Sequence, residues 1–239
     1  MIKITFPDNS VREYSEGTTV YEVAESISAS LAREVLSATV NGELRDIRYP
    51  IVCDASINLH KFEDPQGKLA FWHTTSHVMA QAVKRLYPDV KLTIGPAIEQ
   101  GFYYDFDAPE AFTPESLEKI EAEMKKIISE NPEIKMYHLS REDAIKKEQE
   151  ADEPYKVELI NDLPEDAQIS FYEQGEFFDL CAGPHINKIS QIKAFKLTSI
   201  AGAYWRGNEH NKMLQRIYGI SYPKKDMLDE YLTMMEEAK

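Results

Sequence analysis

Two short spacings, about a hundred residues apart, constrain this chain more than anything else in it. Phe71-Trp-His-Thr-Thr-Ser-His77 sets His73 and His77 four residues apart, and Asp179-Leu-Cys-Ala-Gly-Pro-His185 sets Cys181 and His185 at the same interval. A helix over 68–87 puts both histidines of the first stretch on one face. The second stretch holds Gly183 and Pro184, so it reads as a strand running into a tight turn that aims a thiol and an imidazole back at one point. The expected fold therefore carries three histidines and a cysteine to one small volume. By residue type alone, such a site either holds a tetrahedral metal ion through His73, His77, Cys181 and His185, or performs a hydrolysis without one.

With 239 residues, 43% of them hydrophobic and 28% charged, the chain is long enough for two modest cores. It has no apolar run near the length of a membrane span, and its N-terminus reads as a strand rather than a signal peptide, so a cytoplasmic location with no membrane partner is expected. Cys53 and Cys181 fall in different expected domains, which favours free thiols over a disulfide. A net charge of −14 argues against non-specific coating of nucleic acid, but the charge is uneven. Eight basic residues (Lys188, Lys193, Lys196, Arg206, Lys212, Arg216, Lys224, Lys225) against one acidic, Glu209, lie between 183 and 225. A stretch of this kind suits a phosphate backbone and is equally often a solvated face.

In chain order, residues 2–6 alternate, turn at Pro7-Asp-Asn-Ser, and continue in a strand near 11–14. Thr18 or Thr19 caps a helix whose apolar stripe is Val20, Val23, Ala24 and Ile27. Asn41-Gly42 marks a hairpin, and a last strand spans 56–62. The order β-β-α-β-β in some sixty residues implies a small β-grasp, ubiquitin-like module over 1–62, with His60 and Cys53 as ordinary structural or surface residues. The polar Glu63-Asp-Pro-Gln-Gly67 is the expected boundary.

Beyond it, the histidine-bearing helix stops at Pro88, residues 91–106 read as a hairpin, and Thr113-Pro114 opens a helix with the stripe Leu117, Ile120, Met124, Ile127 and Ile128. A shorter helix follows from Ser140. Strands are then expected at 156–160, 169–172, 177–181, 195–200 and 213–219. The second domain is thus expected to be α+β, with helices on an antiparallel sheet, over 63–224. Residues 225–239 read as a linker helix with an apolar face of Met227, Leu228, Tyr231, Leu232 and Met235.

Several of these motifs together resemble a known family. Ala201-Gly-Ala-Tyr-Trp-Arg-Gly, Asn211-Lys-Met-Leu-Gln-Arg-Ile-Tyr-Gly219, Ile94-Gly-Pro, Gly101-Phe-Tyr-Tyr-Asp105 and Asp179-Leu-Cys-Ala-Gly-Pro-His185 are similar to those of the bacterial threonyl-tRNA synthetases, and the first sixty residues resemble their TGS domain. The resemblance covers essentially the whole chain, in the order TGS domain, editing domain, linker helix. It implies an N-terminal portion, with the aminoacylation core and anticodon-binding domain expected to follow. ATP, magnesium and zinc would belong to that core, no cofactor to this portion, and the dimer surface of the full-length protein to the core as well. Ala182 stands where the family often has arginine.

What the resemblance implies for function is post-transfer editing: hydrolysis of the ester of mischarged seryl-tRNA(Thr). Serine lacks one methyl group of threonine, a difference worth only about 1–3 kcal/mol in a pocket, so a second, hydrolytic site is needed. The residues matching the family's editing site are His73, His77, Tyr104, Lys156, Asp179, Cys181 and His185. His73 is expected to take or relay the proton of the attacking water, and Lys156 to orient that water or the leaving hydroxyl. Asp179 would anchor the serine ammonium or hydroxyl, Tyr104 would pack on the substrate, and His77, Cys181 and His185 would complete the pocket. The seryl-adenosine moiety at the acceptor end of tRNA(Thr) is the expected partner, and no metal is expected at the site. Two other readings are a zinc-dependent deacylase of the alanyl type and a tRNA-binding module without catalysis.

Overall fold

A computed structural model describes residues 1–239. The chain divides into two compact units, Met1–Thr74 with Gly183–Asn187, and Thr75–Ala182 with Lys188–Lys239. The division falls inside one continuous helix.

The first unit opens with the hairpin β1 (Ile2–Thr5) and β2 (Val11–Tyr14), pairing Ile2 with Tyr14. After the short β3 (Thr18–Thr19), Thr19 caps α1 (Val20–Ile27) in a reciprocal box with Glu22, satisfying two otherwise unpaired amides. Val20, Val23 and Ala24 are buried, whereas Ile27 ends the helix exposed. A second helix, α2 (Ala29–Glu34), follows. The hairpin β4 (Ser37–Val40) and β5 (Glu43–Arg45) turns at Asn41 and Gly42, whose φ angles of 50° and 80° are those a two-residue turn between twisted strands requires. β6 (Pro50–Ile51) pairs with β3, and β7 (Ala55–His60) returns between β1 and β4. β7 is parallel to β1 and antiparallel to β4, giving the order β2-β1-β7-β4-β5 of a β-grasp sheet with α1 over its apolar face. α3 (Pro65–Leu86) then begins within the polar stretch read as a boundary.

The second unit is antiparallel throughout. β8 (Lys91–Leu92), β9 (Ala97–Ile98) and β10 (Gly101–Asp107) lead into α4 (Pro114–Glu130), where Thr113 caps and Pro114 occupies the first turn. Ile120, Met124 and Ile127 are its buried stripe. β11 (Ile134–Leu139) was not expected from the sequence, although Ile-Lys-Met-Tyr-His-Leu alternates and follows Pro132. α5 (Arg141–Glu150) and α6 (Pro154–Asp162) come next, then β12 (Ile169–Gln174), β13 (Phe177–Leu180), β14 (Ala194–Tyr204), β15 (Met213–Tyr222) and α7 (Lys225–Glu237). One sheet runs β14-β15-β10-β8 with β9 on β10, and another β11-β12-β13. The fold is therefore α+β, as expected.

One element is corrected. Residues 156–160 form part of a helix, not a strand: Pro154 pre-sets the first turn of α6, and its buried residues, Lys156 and Ile160, lie four apart on one face. Val157 and Ile160 favour strands by themselves, but here tertiary burial selects the helical period. Both cysteines are free, and no helix is long and apolar enough to cross a membrane.

Ile4 sits at 0% exposure in the β-grasp core among Ile2, Val20 and Ile57. Ile4→Ala is expected to lower unfolding free energy by about 2–5 kcal/mol in denaturant titration.

Candidate active site

α3 carries His73 and His77 one turn apart, as the spacing requires. In the first unit, His73 lies against the irregular segment 183–187. Its ring stacks on that of His185, centroids 5.8 Å apart and planes inclined by 22°. Burial pushes the His73 imidazole below its usual 6.5, and hydrogen bonds to the main chain at Pro184 and Gly183 act against that. The ring is thus neutral near pH 7, the form that accepts a proton.

His185 is fully buried, and its tautomer follows from a hydroxyl. Thr74 Oγ1 donates to Ala70 O at 3.0 Å and accepts from Ile186 N at 3.1 Å. Its one proton is thus committed to the helix, so the His185 nitrogen 3.1 Å away, Nδ1, is the protonated one and donates to Oγ1.

The second unit holds a buried polar cluster centred on Asp179 of β13. Its Oδ1 is 2.6 Å from Lys156 Nζ of α6. Its Oδ2 accepts from Tyr104 Oη of β10 at 2.7 Å and lies 3.4 Å from His77 Nε2 of α3. None of the four residues is more than 3% exposed. Burial first, and the Asp179 charge second, hold the Tyr104 phenol well above its ordinary value, so it is a donor here. Lys156 Nζ also stands 5.4 Å from the Tyr104 ring centroid. Tyr104 is seated by Gly95: a Cβ there would come within 2.0 Å of its ring, and Ser76 Oγ donates to Gly95 O at 2.8 Å. Cys181, half-buried, follows β13 with its main chain bonded twice to Ser170.

Asp179 also lines a cavity of about 280 Å³ with Glu148, Glu153, Phe177 and Gln81. Burial, then the charge of Asp179, raises the Glu148 carboxyl to about 8, and burial raises that of Glu153. These two carboxyls were missed from the sequence, because surface and buried glutamates share one letter and only the packing of α5 and α6 separates them. The basic stretch also changes meaning. Lys196 pairs with Glu121, Lys212 with Asp107, Arg216 with Asp105, and Arg206 with Asp162. Lys188, Lys193 and Lys224 stay exposed, and Lys225, also exposed, lies 4.0 Å from Asp229.

The structure thus brings His73 to His185 in one unit, and His77, Tyr104, Lys156 and Asp179 together in the other. Residues 2–61 match the family model of the TGS domain, and residues 169–218 that of the threonyl and alanyl tRNA synthetase second additional domain. The class is therefore a TGS domain joined to a second additional domain. More particularly, over all 239 residues the chain is 64% identical to the threonine--tRNA ligase of Acetivibrio thermocellus and 61% identical to that of Desulforamulus reducens. A third relative, from Caldanaerobacter subterraneus, is 58% identical over 236 residues. The chain is thus similar over its whole length to threonine--tRNA ligases and spans about 38% of the length of these curated relatives.

The raised Glu148 carboxyl has a stability consequence. Between 4.5 and about 8 the unfolded state releases this proton while the folded state keeps it, so stability falls as pH rises through that window. The loss is at most on the order of 4–5 kcal/mol. Glu148→Gln is expected to be more stable than the parent at pH 8 and to show a flatter pH dependence between pH 5 and 8 in denaturant unfolding; an unchanged slope would contradict the assignment.

Proposed function

We propose that the chain hydrolyses the ester linking serine to the terminal ribose of tRNA(Thr), a post-transfer editing step. The observation that carries this reading is the buried Asp179 carboxylate with Lys156, Tyr104 and His77 on it. A carboxylate accepts about four hydrogen bonds. Tyr104 donates to one oxygen, and Lys156 and His77 stand at ion-pair distance, so acceptor capacity remains for the ammonium or hydroxyl of serine.

Ester hydrolysis needs a water, a base and donors for the developing oxyanion. His73, held neutral by burial, takes the proton of the water. Lys156, fixed by Asp179, orients the water or the leaving ribose hydroxyl, and its positive charge offsets the oxyanion. His185, held through Nδ1 by Thr74, steadies the His73 ring by stacking. Tyr104, wedged against Gly95, forms a rigid wall for the amino-acid side chain. This chemistry is complete without a metal or organic cofactor. His77 Nε2 lies 3.4 Å from Asp179 Oδ2, so this reading assigns His77 to the carboxylate cluster rather than to a ligand set.

The acceptor end of tRNA(Thr) is the proposed partner, with phosphate contacts narrowed to Lys188, Lys193 and Lys224. ATP, magnesium and zinc are assigned to the part of the relatives that this chain does not span, and so is the dimer surface. Residues 1–62, 63–224 and 225–239 are proposed as TGS domain, editing domain and linker helix.

His73→Ala and Lys156→Ala are each expected to slow deacylation of seryl-tRNA by about 10²-fold or more, with cooperative unfolding retained. The parent rate should also fall on acidification through the depressed His73 range, because a protonated ring cannot accept the proton. Parent-like rates in both folded variants would refute the assignment.

A further inference from the structure

The β-grasp loop between β5 and β6 reaches the segment that carries His185. Ile47 is buried in the first core, and its carbonyl accepts from Tyr21 N at 2.8 Å. Asp46 Oδ1 accepts from Arg48 N at 2.8 Å, and Tyr49 N donates to Asp46 O at 3.0 Å, so the loop is closed on itself. Asp46, 7% exposed, then turns Oδ2 to the main-chain N–H of His185 at 2.8 Å. The Arg48 guanidinium, ion-paired with Asp46 at 3.0 Å, donates to the carbonyls of His185, Ile186 and Asn187 at 3.2, 2.7 and 3.4 Å.

Residues 183–187 belong to no strand or helix, while Pro184, His185 and Ile186 are buried. Buried backbone outside a ladder must find other partners, and a charged donor with a fixed fork serves several carbonyls at once. Asp46 and Arg48 supply those partners on one side, and Thr74 holds Ile186 N and the His185 ring on the other.

We propose that Asp46 and Arg48 of the TGS domain are positioning residues for the hydrolytic site: they fix the main chain of 185–187, and so the direction of the His185 imidazole and of the His73 ring stacked on it. The TGS domain is then a structural part of the site rather than an independent neighbour. The catalytic half of this proposal rests on the editing reading above; the geometric half stands apart from it.

The test uses the whole chain labelled with 15N-histidine, as parent, Arg48→Ala, Arg48→Lys, Asp46→Asn and, as control, Arg12→Ala on the β-grasp hairpin. Imidazole resonances and single-turnover deacylation of seryl-tRNA are recorded together. Arg48→Ala should move the His73 and His185 signals and leave those of the exposed His138 and His210 in place. The rate at saturating tRNA should drop about 10–100-fold, as displacement of a reacting group does. Arg48→Lys, with charge but no fork, should fall between, and Arg12→Ala should match the parent. If Arg48→Ala does not fold, the near-isosteric Asp46→Asn decides by the same two signals. Unmoved His73 and His185 resonances in a folded variant overturn the proposal. A parent that does not deacylate refutes the editing reading instead, and the resonances still decide the clamp.

Discussion

A carboxylate almost sealed from water is the constraint around which the second unit is built. Taking Asp179 out of water costs several kcal/mol unless its charge and lone pairs are matched. Its match comes from three separate elements: Lys156 from α6, Tyr104 from β10 and His77 from α3. Removing one partner would leave a buried charge uncompensated, so α3, α6 and the two sheets that supply β10 and β13 are held to one another by this group as well as by apolar packing. The same charge then acts on its surroundings. It adds to the burial that holds the Tyr104 phenol above its ordinary value and to the burial that raises the Glu148 carboxyl to about 8.

The first unit solves a different problem by a related route. Segment 183–187 crosses buried ground without secondary structure, and its polar main chain is matched by a side-chain ion pair from the β-grasp loop and by one threonine hydroxyl. The hydroxyl also sets which nitrogen of His185 bears the proton. Both units thus use ordinary hydrogen-bond accounting to aim imidazoles.

Much of this was legible in the sequence, and the failures share a cause. Local chemistry was readable: Asn41-Gly42 gave its hairpin, Thr113-Pro114 its helix start, and the spacing of His73 and His77 their common helix. The site residues drawn from the family's motifs fall into two tight clusters, with Cys181 just past β13. Quantities that depend on distant partners were not readable. Lys156 reads as part of a strand because Val157 and Ile160 favour one, although Pro154 is a usable helix signal. The basic stretch reads equally as a phosphate surface or a solvated face, and Asp105, Asp107, Glu121 and Asp162 from other elements pair with half of it. Asp46 and Arg48 gave no signal, since their partners lie some 140 positions away: separations of 137 to 139 residues in the chain.

The central proposal is that the chain is a selective seryl-ester hydrolase. Its most direct test is single-turnover deacylation of seryl-tRNA(Thr) and threonyl-tRNA(Thr) by the 239-residue chain, side by side, with and without a chelator. The account predicts that the seryl ester is hydrolysed, the threonyl ester spared, and the chelator without effect. Equal loss of both esters, loss of neither, or activity abolished by the chelator would contradict it.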